Sequence, residues 1–347
     1  MRTSILISLL FLSSVVYCQS TTFLPVVEWE KLLGGNGGDY GLDLLAEADG
    51  SIVAVGKSYS TNGDVSGHHG DSTQADGWVV KLDNAGNILW QKSIGGTSND
   101  EFTTILATAD GGYLCVGNSY SADMDVPANN GLADAWLVKL SQTGDIEWSR
   151  NYGNNLINTF VSASVMDDGN IAAIMESKPN TWTTAQTSVI KFDPQGNILW
   201  QTVANTGTSI VETDDHRLLT SAGILFDGAS GTASTVIWNM VYGASALKKI
   251  NGIIYAVTYS YPNGNDNMVG YLERTEGNAF NFVGQVWATD FSAGDESGYQ
   301  TTYSASPNAL AYLSSSDSYV VGGTVITSSR GGVYEYGVLS TEGNAAF

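Results

Sequence analysis

Among the 347 residues, the side chains able to do chemistry fall into a few small groups. Asn62-Gly63-Asp64 returns as Asp123-Met124-Asp125 at a shift of 61. An Asx-x-Asp in a Gly-rich stretch supplies hard oxygen ligands of the type calcium uses, so Asn62, Asp64, Asp123 and Asp125 form a candidate calcium set. The competing reading is a pair of Asx turns capping long hairpins, since no complete EF-hand loop accompanies them. His68-His69 is the one histidine pair, and His216 is the only other histidine. Flanked by Gly67 and Gly70, both rings of the pair can face one ion with Asp71 close by, although a lone pair on a solvated loop is usually unliganded.

Signs of catalysis are few. The chain has no G-x-S-x-G elbow, no H-E-x-x-H and no P-loop. Asp167-Asp168 and Asp214-Asp215 fall in hairpin turns, where neighbouring side chains are expected to splay apart instead of facing across a cleft. Arg150, Arg217, Arg274 and Arg330 do not recur at equivalent positions. Cys115 takes the place that Ala54 holds one unit earlier, which suits inert packing better than nucleophilic chemistry. The expectation is a protein that is not an enzyme.

The elements that must position these groups come from an internal repeat. Residues 75–90, ADGWVVKLDNAGNILW, align without gaps with 133–148, ADAWLVKLSQTGDIEW, and the pattern returns at 185–200. Within one unit, Leu42 to Ala48 reads as a first strand ended by Asp49-Gly50, a dipeptide suited to tight hairpins. Ile52 to Tyr59 is the second strand, Trp78 to Leu82 the third, and Asn87 to Lys92 the fourth. Four antiparallel strands per unit build a propeller blade, so the sequence predicts an all-β β-propeller of about six four-stranded blades, with five or seven as alternatives. The units fall near 34–90, 91–148, 149–200, 201–245, 246–287 and 288–347, the last completed by 22–33. That N-terminal strand is expected to close the ring and cover its edges.

Trp29, Trp90, Trp148, Trp200 and Trp287 mark the fourth strands and are expected to dock one blade on the next. Trp78 and Trp136 open two third strands, on the same face as the aliphatic residues that follow them. Core packing is therefore favoured for them over stacking on sugars.

Arg2, the apolar run from Ile5 to Leu12 and the small residues up to Cys18 read as a secretory leader over 1–18, leaving one domain over 19–347. Cys18 invites lipidation, but Tyr17 before it argues against that. The apolar run is too short to cross a bilayer, and no membrane span is expected. Against 35 acidic residues stand 14 basic ones, a net charge of -21 that disfavours nucleic acid as a partner.

Lys81–Trp90 in the form K-L-D-x-x-G-N-I-x-W, the Gly95-Gly96 pair, A-D-G-G-Y-L at 109–114 and G-D-V-S-G-x-H-G at Gly63–Gly70 resemble the β-propeller repeats of secreted Bacteroidota proteins. Those repeats are mostly uncharacterised. The spacing Asp83-Gly86-Trp90, and again Asp193-Gly196-Trp200, is also similar to the tryptophan-docking motif of quinoprotein-type propellers, which implies blade adhesion and not chemistry.

The leading expectation is thus a secreted or cell-surface, non-enzymatic binding or adhesion module that uses loops 60–76 and 121–134 on a glycan or protein ligand. A self-associating structural surface or matrix protein is one alternative. An extracellular polysaccharide-acting hydrolase or lyase is another.

Overall fold

The computed structural model describes residues 29–180, 183–235, 244–250, 252–260, 269–276, 279–290, 302–313, 318–328 and 333–341, with side-chain detail as far as Ala256. The described residues contain no helix, hence none long and apolar enough to cross a membrane. Every strand lies in the unit Leu33–Phe347.

The first sheet holds β1 (Asp39–Ala46), β2 (Ile52–Ser58), β3 (Asp76–Leu82) and β4 (Ile88–Ile94), paired in sequence order. The second repeats it with β5 (Asp100–Ala107), β6 (Tyr113–Ser119), β7 (Asp134–Leu140) and β8 (Ile146–Tyr152). The third has β9 (Ile157–Val165), β10 (Ile171–Lys178), β11 (Gln186–Phe192) and β12 (Ile198–Val203). The fourth is cut down to β13 (Ile210–Glu212), β14 (Leu218–Thr220), β15 (Ile224–Phe226) and β16 (Ala233–Thr235). A fifth sheet follows with β17 (Ala244–Ile250), β18 (Ile253–Ser260), β19 (Val269–Glu276) and β20 (Ala279–Asp290). Three further strands, β21 (Thr302–Leu313), β22 (Ser318–Ser328) and β23 (Val333–Thr341), make the last sheet. Within each described sheet the strands pair antiparallel as up-and-down meanders, and an isolated parallel bridge joins Ala133 to Ile157. Residues 22–28 of the expected closing strand lie outside the described residues, and Trp29–Lys31 carry no strand.

Period-two alternation decides how the sheets stack. On β6, Tyr113 and Cys115 pack toward the first sheet with Val53, Val55 and Val79, while Leu114 and Val116 pack toward the third with Phe160 and Ile190. The third sheet packs in the same way on the fourth through Ile174, Val189, Leu218 and Phe226. The fourth packs on the fifth through Leu219, Leu225, Leu247 and Ile254. A sheet buried on both faces by its sequence neighbours, with its first strands side by side, is the β-propeller architecture.

The third strands begin two residues earlier than the hydrophobic pattern suggests, at Asp76 and Asp134. Both aspartates are fully buried, which places a carboxylate where the sequence shows only a loop end.

Candidate functional site

The first strands of the sheets, β1, β5, β9, β13 and β17, line a cavity of about 540 Å³. Hydroxyls of Thr104, Ser162, Ser164 and Ser209 border it, and Asp167, Glu212 and Lys249 stand near the C-terminal ends of β9, β13 and β17. Asp43, also in the wall, accepts a hydrogen bond from Ile105 N at 2.9 Å, and burial pushes its carboxyl up.

The paired aspartates do splay, as neighbours in a turn must, but the expectation that they miss a cleft is corrected by where the splayed chains go. Asp168 turns to Lys191 of its own sheet at 3.5 Å. Asp167 therefore points away from its own sheet: the Asp167 backbone N donates to Glu212 Oε2 of the fourth sheet at 2.7 Å, and the Asp167 carboxylate lies 3.6 Å from Lys249 Nζ of the fifth. One sheet on, Asp215 is held by Arg217 at 2.6 Å, which leaves Asp214 facing Lys249 at 3.0 Å. One aspartate from each hairpin thus converges with Glu212 and Lys249 beside the cavity.

His216 completes the cluster. In the hairpins of the first three sheets the corresponding turn position is Gly50, Gly111 and Gly169, each at positive φ. His216 takes the same left-handed conformation, φ 61°, which costs a side chain energy that glycine avoids. Its Nδ1 donates to Glu212 Oε1 at 2.9 Å, while two thirds of the His216 side chain stays exposed and the Glu212 side chain is 5% exposed. The Glu212 hydrogen bond and charge, joined by Asp167 and Asp168, raise the imidazole above its ordinary 6.5. Asp167, Glu212 and His216 offer atoms within 4.8 Å of one another, a spacing a cation could bridge. Both Glu212 oxygens already accept hydrogen bonds, however, and the Lys249 ammonium sits beside Asp167, so the arrangement suits an oriented imidazole better than a metal.

The candidate calcium residues lie in two separate loops. Asp64 Oδ2 accepts from Gly34 N at 3.1 Å and Asn62 Oδ1 from Asn36 N at 3.0 Å. In the second unit, Asp125 Oδ2 accepts from Gly95 N at 3.3 Å and Asp123 from Thr97 N and Oγ1 at 2.9 and 2.8 Å. These oxygens tie each long loop to the segment that enters the sheet.

The histidine pair converges on a residue the sequence did not single out. Asp76 Oδ2 accepts from His69 N at 2.7 Å and pairs with His69 Nδ1 at 3.0 Å, with His68 Nδ1 3.7 Å away. His68 Nε2 lies 3.2 Å from the Asp71 carbonyl. Asp76 Oδ1 is buried with no hydrogen-bond partner. Burial, only partly offset by the His69 contacts and the two imidazoles, pushes the Asp76 carboxyl up to about 6. A carboxyl raised above its unfolded value of 3.8 gives stability that is present below that value and lost as pH rises through about 6. Asp76→Asn is therefore expected to raise stability at pH 8 by on the order of 2 kcal/mol, a gain that fades toward pH 4. Urea unfolding of both proteins at the two pH values checks it, and a gain of equal size at both would remove the linkage.

Of the docking tryptophans, Trp90 lies against the second sheet. A Cβ at Gly144, which has φ +80°, would come within 2.9 Å of its ring, and the Tyr113 ring is 6.0 Å away. Trp148 packs on the core between the second and third sheets. Trp200 stacks on Phe226 of the fourth at 6.4 Å and donates to Gly228 O at 3.2 Å. Trp29 is half-buried outside any strand, and the Trp287 side chain lies outside the described detail. Trp78 and Trp136 are buried, 6% and 0% exposed, which removes them as sugar platforms. Cys115 is fully buried and burial pushes its thiol up, away from nucleophilic use. Arg150 donates to Gln195 O at 2.7 Å, Arg217 belongs to Asp215, and Arg274 and Arg330 lie outside the described side chains.

No family model matches the chain, and no curated protein does. Neither a Bacteroidota origin nor a quinoprotein-type repeat is shown; what solved structures share with the chain is a propeller-like fold. One, assigned as a gluconolactonase, is 12% identical with a TM-score of 0.41, the match covering 85% of this chain and 87% of that one. A rhamnogalacturonan lyase is 13% identical at 0.41, over 89% of this chain and 60% of the lyase. The Bacillus subtilis arabinanase is 12% identical at 0.33, over 86% and 92%. The expectation of a protein that is not an enzyme runs against this finding, since these three structures carry enzyme names, and it is not kept. At such identity the likeness is one of fold, and a reaction has to come from this chain's own side chains.

Proposed function

We propose that the protein acts on extracellular polysaccharide as a hydrolase or lyase, with His216 as general base. The observation that carries this reading is the Glu212–His216 pair, of which Glu212 lines the cavity: its buried carboxylate holds Nδ1 as the donor, which leaves Nε2 as the basic nitrogen of a largely exposed ring. His216 also occupies a glycine's place in its turn, and such strain accompanies sites where a side chain is needed in one position. In hydrolysis Nε2 would take a proton from water as its oxygen bonds to the anomeric carbon and the glycosidic C–O bond breaks. In elimination it would take the proton from the carbon beside a uronate carboxyl as the β C–O bond breaks and the C=C bond forms, and in both the leaving oxygen is protonated by the imidazolium or by solvent. Thr104 and Ser164 on the cavity wall carry hydroxyls that can donate to or accept from sugar hydroxyls. A secretory leader over residues 1–18, as the sequence leads one to expect, is consistent with an extracellular substrate.

The test is a turnover screen of the full chain on neutral and uronate polysaccharides, reading reducing ends for hydrolysis and unsaturated products for elimination. His216→Ala is expected to lower turnover by roughly 10²–10⁴-fold. A protein that releases no product from any polymer, or one whose turnover survives His216→Ala, would end the proposal.

A further inference from the structure

From a second pocket we infer that the protein holds a neutral glycan chain between its first two sheets, at the opposite ends of the inner strands from His216. This pocket, about 270 Å³, opens where β5 begins, whereas His216 follows the C-terminal end of β13. The inference takes the class of ligand from the polysaccharide reading above and nothing else from it.

Tyr59 and Tyr120 line the pocket. They are equivalent residues, separated by the repeat shift of 61, so each caps the second strand of its own sheet. Tyr120 is 42% exposed, and Tyr40, 52% exposed, extends the aromatic surface by packing edge-on to Tyr59 with ring centroids 6.5 Å apart. Aromatic rings left in water at a pocket rim offer apolar faces to the C–H side of a sugar ring while their hydroxyls stay wet.

Between the tyrosines stand polar groups placed to read hydroxyls. Asn118 is 7% exposed and lines the pocket. Its amide offers one donor group and one acceptor side by side. Asn99 has its Oδ1 fixed by Ala75 N at 2.9 Å, which orients the amide and leaves its NH₂ as donor. Lys57 and Glu101 meet at 2.7 Å, and both remain about a quarter to a third exposed on the pocket wall. Vicinal hydroxyls can bridge such a donor–acceptor set. An anionic sugar is disfavoured, because Glu101 already neutralises Lys57, Asp100 lines the same pocket and the chain carries a net charge of -21.

The experiment is calorimetric titration of the full chain carrying His216→Ala with linear oligosaccharides of glucose, xylose, mannose and arabinose, and with oligogalacturonate as the acidic control. Saturable binding of at least one neutral oligosaccharide is expected. Tyr59→Ala, Tyr120→Ala and Asn118→Ala should each weaken it about 10-fold, and Tyr120→Phe should stay within about 3-fold of the parent. An unchanged melting temperature for Tyr120→Ala separates lost contact from lost fold. If no neutral oligosaccharide binds, if only oligogalacturonate binds, or if the tyrosine variants bind like the parent, the inference is overturned. Binding here is read without turnover, so an inactive protein that still binds refutes only the enzymatic proposal, and an active one that does not bind here refutes only this.

Discussion

Glu212→Gln is expected to cut turnover by roughly 10²–10⁴-fold and to move the acid limb of the pH profile downward. The sign follows from the state of His216 that does the work. A general base acts when neutral, so activity rises with pH through the imidazole's pKa. That pKa lies above 6.5 chiefly because Nδ1 donates to the Glu212 carboxylate and feels its charge. A carboxamide keeps the shape but loses the charge, and the limb should fall back toward 6.5, held above it only by Asp167 and Asp168. The amide can also present its NH₂ to Nδ1, favouring the tautomer whose proton sits on Nε2. The base would then be blocked, which accounts for the lower plateau. Glu212 touches no substrate in this account; it is a positioning residue. Loss of activity with an unmoved pH limb would mean that Glu212 supports the fold alone. An unmoved limb at full activity would show that His216 is not the base.

The strands were legible because their signals are local. Asp49-Gly50, Asp110-Gly111 and Asp168-Gly169 end first strands as hairpin chemistry requires, and in the first two sheets the apolar alternation that follows finds its register. The cluster at the cavity was not legible, because its members come from three sheets and meet only through a difference between neighbours. Asp168 is drawn to Lys191, so Asp167 must face the other way, and no spacing rule reports that choice. One signal was available. In the cut-down fourth unit the turn reads Asp215-His216, a histidine where the first three units place glycine, and a side chain at a position that favours glycine points to use. Asp76 was missed for a different reason. It precedes the apolar run of its strand, and a charged residue at a run's edge reads as loop, while its burial comes from the histidine loop folded over it.

Trp136→Ala should destabilise the protein by about 4 kcal/mol, and Trp90→Ala by about half as much. The two rings lie between the same pair of sheets but differ in what they leave behind. Trp136 is fully buried, stacked on Phe102 at 4.7 Å, within a cluster that joins Val53, Val55 and Val79 of the first sheet to Val138 and Leu140 of the second. Its removal opens a cavity that closely packed strands cannot close, and it strips Ser149 Oγ of the Nε1 donor at 2.8 Å. Trp90 lies at the edge of the same layer, half-buried, with Gly144 beneath its ring, so water can enter the space its loss creates. Denaturant unfolding with an unchanged m value reads the difference. If Trp136→Ala costs less than about 1 kcal/mol, the layer between these sheets is not a close-packed core. If Trp90→Ala costs as much as Trp136→Ala, the outer strand is held as tightly as the centre, and the fourth strands must then be counted among the elements that keep one sheet on the next.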